Sequence, residues 1–281
     1  MKILITGAEG QLGKELQRRL QGTDYLPTDV KELDITDFAA VMKMVGEYRP
    51  DLVIHGAAFT QVDIAEEKVD LAYRVNAIGT QNLAMACRKV DASMVYISTD
   101  YVFDGNLNRA YTEIDQTNPL SVYGKTKLAG EVLARQATNK LYVLRTAWLY
   151  GEGSNFVRTM MKLGQERDEL QVVNDQYGSP TGTADLAEAI LQLSRTERYG
   201  TYHAVNTGVA TWYEFACKIF ELAGNSRVRV KPVTTQEFSR PARRPAYSPL
   251  DSRLLTLALG WQMRPWNEAL AEYVEGLSTA Q

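Results

Sequence analysis

Lys2-Ile3-Leu4-Ile5-Thr6-Gly7-Ala8-Glu9-Gly10-Gln11-Leu12-Gly13 is the stretch on which the fold turns. Residues 2–6 are a short apolar, β-branched run that reads as a buried strand, and residues 11–21 follow with helical spacing. Between them, Gly7 permits a tight turn, Gly10 lets backbone approach a pyrophosphate, and Gly13 lets helix and strand pack closely. The helix N-terminus, with Gln11 and Leu12, adds free N–H groups and a partial positive charge suited to phosphate. An ordinary glycine-rich turn needs only the glycines. Here strand, glycines and helix agree, which points to a dinucleotide.

The alternation continues outward. Strands are expected at 25–28, 52–55, 94–98 and 142–146, with helices at 37–48, 72–90 and 121–135 between them. Asp37 opens its helix and Pro50 stops it. Pro27 keeps the second strand short. The expected fold class is α/β, a Rossmann-type doubly wound parallel sheet spanning 1–150, with a smaller C-terminal substrate-binding lobe over 151–281 that returns some segments to the main domain. Within that lobe helices are expected at 156–166, 184–195 and 213–223, and the Pro- and Arg-rich residues 240–245 resist regular structure.

Composition narrows the function. The 281 residues are 45% hydrophobic and 23% charged, a globular balance. A net charge of -3 offers no footprint for nucleic acid or an anionic membrane. No apolar run has bilayer length and no signal peptide is apparent, so a cytoplasmic enzyme is expected. Only Cys87, Cys217, His55 and His203 could serve as soft ligands, too few for a zinc or iron site. Carboxylate-bound magnesium stays open, but no metal is predicted.

A dinucleotide site also needs a partner for the adenosine ribose. Asp29, at the end of the second strand, can accept from ribose hydroxyls and repel a 2′-phosphate; as a solvated loop charge it would do neither. Asp34 and Ile35 are placed near the adenine, and Ala57, Ala58 and Phe59 near the middle of the cofactor. His55 is expected to be a packed core histidine.

The chemistry-bearing constellation is Ser98-Thr99-Asp100 at the end of the fourth strand, followed by Tyr123-Gly124-Lys125-Thr126-Lys127. Tyr123 and Lys127 are four apart and share a helix face. A free phenol titrates near ~10; a nearby ammonium and an oxidised nicotinamide would favour phenolate. Thr99 can hydrogen-bond the oxygen that Tyr123 protonates, and Lys127 can hold ribose hydroxyls. Tyr123, Lys127 and Thr99 are thus the candidate catalytic residues.

These motifs, with Asn76 in Val75-Asn76-Ala77-Ile78-Gly79-Thr80, resemble the extended short-chain dehydrogenase/reductases. The segments Ser98-Thr99-Asp100-Tyr101-Val102-Phe103-Asp104-Gly105 and Asn174-Asp175-Gln176-Tyr177-Gly178-Ser179-Pro180-Thr181-Gly182 are similar, more narrowly, to the dTDP-4-dehydrorhamnose reductase family. Gly200-Thr201-Tyr202-His203 and Thr211-Trp212 extend that likeness over nearly the whole chain. The resemblance implies reduction of the 4-keto group of dTDP-6-deoxy-L-lyxo-4-hexulose to dTDP-L-rhamnose by NADPH or NADH. It also implies Tyr123 as proton donor, Lys127 as ribose anchor, and Thr99, Asp100, Tyr101 and Trp148 around the sugar. Asn76 is assigned to the cofactor side as a support. Arg240 and Arg244, with Arg243 between them, would meet the diphosphate, since guanidinium forks suit phosphate oxygens. Some members of that family dimerise around magnesium held by glutamates; only Glu15 is an evident candidate, so a homodimer stays open. Two alternatives share the scaffold: a nucleotide-sugar epimerase or dehydratase, and a non-catalytic subunit like the regulatory partner of methionine adenosyltransferase. Tyr101, rather than a second carboxylate, follows Asp100, which disfavours a dehydratase. Intact Thr99, Tyr123 and Lys127 disfavour the non-catalytic role.

Overall fold

A computed structural model describes residues 1–279. Five short strands, β1 (Ile3–Thr6), β2 (Tyr25–Thr28), β3 (Leu52–His55), β4 (Ser93–Thr99) and β5 (Leu141–Thr146), pair in parallel. A sixth strand, Gly200–His203, returns from the C-terminal half to pair with β5. The spatial order is β2-β1-β3-β4-β5 and then Gly200–His203, so the winding direction reverses between β1 and β3. In such sheets the crevice beyond the carboxyl ends of the strands at this reversal is where ligands bind. β1, β3 and β5 are buried throughout, as a sheet covered on both faces requires. β2 is the edge strand and carries Pro27, whose missing N–H costs least there.

Two apolar layers clad the sheet. Helix α1 (Gln11–Arg19) packs on one face with the helices Thr183–Leu193 and Arg253–Leu259 around Ile3, Ile5 and Leu144. Helix α2 (Phe38–Tyr48), capped by the Asp37 side chain on the Ala40 N–H, packs on the other with the helices Thr80–Val90 and Val122–Ala137. A third cluster, built on Phe215, Ile219, Phe220 and Leu270, forms a separate small core for the C-terminal lobe. There the strands Glu169–Val173 and Arg229–Val233 pair in parallel.

The helix expected at 72–90 is not one regular helix. Val69–Tyr73 and Thr80–Val90 are α-helical, but Arg74–Gly79 widens into a π turn. Gly79 lies within that turn because Ile35 fills the space beside it; a Cβ there would stand 2.7 Å from the Ile35 side chain. Beyond residue 223, where the sequence reading assigns no element, the structure adds Arg229–Val233, Arg253–Leu259 and Trp266–Thr279. Among the described residues no helix is long and apolar enough to cross a membrane.

Candidate active site

A cleft of about 530 Å³ opens at the β1/β3 reversal and brings together Gly7, Gly10, Thr99, Tyr123, Lys127 and Trp148. Its floor is backbone. Gly7 has φ 72°, and a Cβ on it would lie 2.6 Å from the amide nitrogen of Ala57 in the loop after β3. A Cβ on Gly13 would lie 2.3 Å from the Gly7 carbonyl oxygen and 2.6 Å from the Ala8 Cα. Neither position accepts a side chain. Gly10 is the N-cap of α1 and provides no capping side chain, so the first-turn amides face the cleft beside Gln11 and Leu12. That glycine-floored cradle fits a dinucleotide pyrophosphate.

The flanks of the cradle are tied down. Asp29 accepts from the Glu9 N–H at 3.1 Å and from the Val30 N–H at 2.8 Å, so its carboxylate sits against the glycine loop. Asp34 is exposed and caps a local turn through the Thr36 N–H and hydroxyl. Ile35 is a buried core residue whose carbonyl accepts from Asn82. Ala58 lines the cleft; Ala57 forms the wall against Gly7; the Phe59 backbone is held from behind. That hold is Asn76, which is fully buried and does not line the cleft. Its Oδ1 accepts from the Phe59 N–H at 2.7 Å, while its Nδ2 donates to the Phe59 carbonyl and to Thr126. Asn76 lies in the π turn and links the cofactor loop to the helix carrying Tyr123 and Lys127. His55 is packed as expected: between Thr6 and Thr80, stacked on Tyr96, with burial holding it neutral down to about pH 3.

Helix Val122–Ala137 begins beside the cleft. The Ser121 hydroxyl caps the Gly124 N–H at 3.1 Å and the Glu66 carboxylate takes the Val122 N–H at 2.9 Å. Gly124 allows the helix to abut the strand end, since a Cβ there would meet the Tyr101 carbonyl oxygen at 2.2 Å. This seats Tyr123 edge-on to Tyr101 with ring centroids 5.7 Å apart, and Lys127 over the Tyr96 ring at 4.2 Å. Burial pushes the Tyr123 phenol up to about 12; a hydrogen bond with Thr99 opposes the rise and the Asp100 charge adds to it. Burial likewise pulls Lys127 down to about 7 against the attraction of Glu131. In the chain by itself desolvation raises the phenol and Tyr123 holds its proton; the expected phenolate also called on an oxidised nicotinamide.

Thr99 ends β4 and starts a single 3₁₀ turn, Asp100–Val102, by accepting the Tyr101 N–H at 3.2 Å. Its own proton goes to Asp100 Oδ1 at 3.1 Å. Asp100 is 1% exposed, and burial lifts its carboxyl to about 6 while the Ser248 and Thr99 hydroxyls hold it down. Behind this group, Glu131 and Arg145 form a buried bidentate pair that also engages Ser98.

The opposite wall is aromatic. Trp148 has φ 47°, a strained conformation for a residue with a Cβ, and stacks on Trp212 with centroids 3.6 Å apart. Gly178 makes room for it: a Cβ there would touch the indole at 2.4 Å. Trp212 also lines an adjoining cavity of about 700 Å³ that includes Asp63, Phe238, Arg240 and Arg244. Arg240 and Arg244 thus border the neighbouring chamber, not the glycine-floored one. Arg244 is paired bidentately with Asp63, both contacts at 3.0 Å, and also donates to the Ala242 carbonyl at 3.0 Å. Arg240 is exposed and stacks on Phe238, while Arg243 is exposed and borders neither cavity.

Trp212, Asp63 and Ser248 were not legible as site residues. Trp212 begins a helix as a plausible core aromatic, and the other two are ordinary polar residues until the chain folds back. Glu15 is held by Arg18 and Arg19, and Arg19 reaches on to Glu188. Among the described residues no group of three or more His, Cys, Asp or Glu could hold a metal ion.

The RmlD substrate binding domain family matches residues 1–279. A dTDP-4-dehydrorhamnose reductase of Streptomyces griseus is 45% identical over 278 residues, 96% of this chain and 91% of the relative. The spore coat polysaccharide biosynthesis protein SpsK of Bacillus subtilis is 45% identical over 99% of both chains. Among solved structures, a dTDP-4-dehydrorhamnose reductase of Clostridium acetobutylicum superposes with TM-score 0.97 at 52% identity, covering 99% of this chain and 100% of that one. That of Bacillus anthracis, in complex with NADP, superposes with TM-score 0.95 at 48% identity, covering 98% and 99%.

Proposed function

This chain belongs to the RmlD substrate binding domain family, with dTDP-4-dehydrorhamnose reductases among its near relatives, and from that premise we infer how its cleft works. It is an NAD(P)H-dependent oxidoreductase that reduces the 4-keto group of dTDP-6-deoxy-L-lyxo-4-hexulose to give dTDP-L-rhamnose. The observation that carries the assignment of roles is the convergence of Thr99, Tyr123 and Lys127 with the glycine floor in one cleft.

When bound, the nicotinamide cofactor supplies the hydride. The chain's own residues do the rest. Gly7, Gly10, Gln11, Leu12 and Gly13 would hold the pyrophosphate, and Asp29 would accept from the adenosine ribose. Lys127 would anchor the nicotinamide ribose, and Asn76 keeps the loop at Ala57-Ala58-Phe59 in register. Tyr123 keeps its proton until the 4-oxygen of the sugar becomes basic, and then donates it; a phenol protonated well above neutral pH suits a donor. Thr99 meets the same oxygen. Trp148, Tyr101 and Trp212 close around the sugar, and Arg244 and Arg240 reach its diphosphate from the adjoining chamber.

The domain division we propose is a dinucleotide-binding part over 1–150 and a substrate lobe over 151–281 that lends Thr183–Leu193, Gly200–His203 and Arg253–Leu259 back to the sheet. A cytoplasmic location accords with two free thiols, one of them buried. Loss of absorbance at the nicotinamide band, with a panel of 4-keto-6-deoxy nucleotide sugars, tests the reading. Steady consumption with the thymidine sugar is expected; no net oxidation of cofactor would leave only epimerisation or binding.

A further inference from the structure

We propose that Tyr96 is a positioning residue for Lys127, its ring seating the ammonium at the cleft wall in place of a carboxylate partner. This rests on the reductase reading, in which Lys127 anchors the nicotinamide ribose.

Tyr96 and His55 are paired in register on β4 and β3, so both rings leave the same face of the sheet, where they stack at 5.4 Å. Helix Val122–Ala137 covers that face, and Gly130 lets it settle there. A Cβ on Gly130 would stand 2.5 Å from the Tyr96 hydroxyl oxygen and 3.1 Å from the ring. That hydroxyl lies 3.3 Å from the Lys127 carbonyl and 3.4 Å from the Asn76 carbonyl, which ties the ring to the helix and to the π turn. The fully buried ring is therefore fixed by the chain itself.

Lys127 is 3% exposed, and its Nζ lies 4.2 Å from the centre of the Tyr96 ring. Glu131, one turn further along the helix, is the carboxylate that helical spacing offers as a partner. It is committed elsewhere. Its Oε1 accepts from Ser98 at 2.6 Å and Arg145 at 2.9 Å, and its Oε2 accepts from Arg145 at 2.8 Å and Arg135 at 3.3 Å. A carboxylate would claim N–H groups of the ammonium. A ring face attracts it as a charge, most strongly where water is excluded, and leaves N–H groups available to ribose hydroxyls. His55 adds no competing charge. The Thr80 hydroxyl donates to the Asn76 carbonyl at 2.8 Å, so its oxygen receives the His55 Nε2 proton at 3.0 Å, and His55 Nδ1 accepts from Thr6 at 2.7 Å.

The ring favours the charged amine, and burial favours the neutral one. The titratable groups facing Lys127 are His55 from β3, Tyr96 from β4, and Tyr123 and Glu131 from its own helix, with Arg145 of β5 neutralising Glu131. Weakening the π face therefore lowers the pH at which Lys127 gives up its proton. Binding that needs the ammonium is present below that pH and lost as pH rises through it.

Replacement of Tyr96 by phenylalanine keeps the ring, and fluorinated phenylalanines keep its shape while draining its π face. Tyr96→Phe should leave the Lys127 titration near its original position. Along the mono-, di- and pentafluorinated series the titration should fall stepwise, by about one pH unit at the end. Carbon-13 NMR of the Lys127 ε-carbon, in the full chain without cofactor, reads it. Between Tyr96→Phe and the pentafluorinated variant, the Kd for the oxidised nicotinamide cofactor should rise about tenfold near pH 8 and no more than about twofold near pH 6. Lost packing alone would weaken binding equally at both. Tyr96→Leu, which removes the ring, should show the same pH dependence; the fluorinated series decides the matter if that variant folds poorly. A titration that ignores the fluorines, or a Kd that rises equally at both pH values, would overturn the proposal. A titration that follows the fluorines with Kd unmoved near pH 8 would leave the seat standing and sink the role of Lys127 as ribose anchor.

Discussion

The two ends of the cleft are built by different means. The cofactor end is made of backbone from seven consecutive residues, Gly7 to Gly13, braced by the loop after β3. The substrate end is made of side chains that meet only after folding: Arg244 finds Asp63 across 181 residues, and Trp148 stacks on Trp212 at the edge of the C-terminal lobe's core. A backbone site is written in short local sequence and fails when a side chain intrudes. A side-chain site is distributed and fails when one contact is removed. Substitutions at the two ends should therefore separate cofactor binding from substrate binding.

The largest effect belongs to the group where the ends meet. Tyr123→Phe removes the proton donor while keeping the ring that packs on Tyr101. Turnover should fall about 10²–10⁴-fold with cofactor Kd nearly unchanged. A phenylalanine variant that keeps most of its turnover would show that another group gives the proton. Next is Gly13→Ala, aimed at the cofactor end alone. The new methyl would press on the Gly7 carbonyl and Ala8, both backbone, and such overpacking costs about 1–3 kcal/mol. Cofactor affinity should drop about 10–100-fold by fluorescence titration. An unchanged Kd would mean that the loop relaxes without losing its cradle.

The contrast also explains what could be read before the chain was folded. β1, the glycine loop, and the Tyr123–Lys127 pair are short-range patterns, and the structure gathers them in one cleft. The helices at 156–166 and 213–223 were legible because their apolar spacing is regular. The π turn at Arg74–Gly79 was not, because a widened turn keeps the helical pattern of apolar residues. Nor was the protonated Tyr123: residue spacing shows that a lysine is near, but not that burial pushes the phenol up and pulls the lysine down. Asn76 and Ile35 were read as cofactor neighbours; Asn76 holds the Phe59 backbone from behind, and Ile35 is a buried core residue beside Gly79. The partners Asp63 and Ser248 left no local signal at all.

Arg244→Ala probes the substrate end. Arg244 is largely buried, joined to Asp63, and borders the chamber next to Trp212. Calorimetry at saturating cofactor should show substrate affinity reduced about tenfold, the low end of a charged hydrogen bond at ~1.5–3 kcal/mol. Arg240→Ala should cost less, since Arg240 is exposed and held only over Phe238. If neither variant loses more than about threefold, a change below ~1 kcal/mol, the segment 240–245 does not clamp the diphosphate.

Asp29→Ala should have the smallest effect and tests whether the backbone end depends on any side chain. Asp29 directly follows β2, and its carboxylate holds the Glu9 N–H of the glycine loop. Two consequences of its removal oppose one another. Loss of the carboxylate takes away repulsion of a 2′-phosphate, which favours NADPH over NADH. Loss of the Glu9 contact loosens the loop under the pyrophosphate, which weakens both cofactors together. The net expectation is a several-fold rise in the ratio of kcat/KM for NADPH over NADH, about 1 kcal/mol or less, with a small common loss in both. An unchanged ratio with a common loss would assign Asp29 to the loop alone and place the ribose contact elsewhere. A changed ratio with no common loss would show that the glycine backbone keeps its shape unaided.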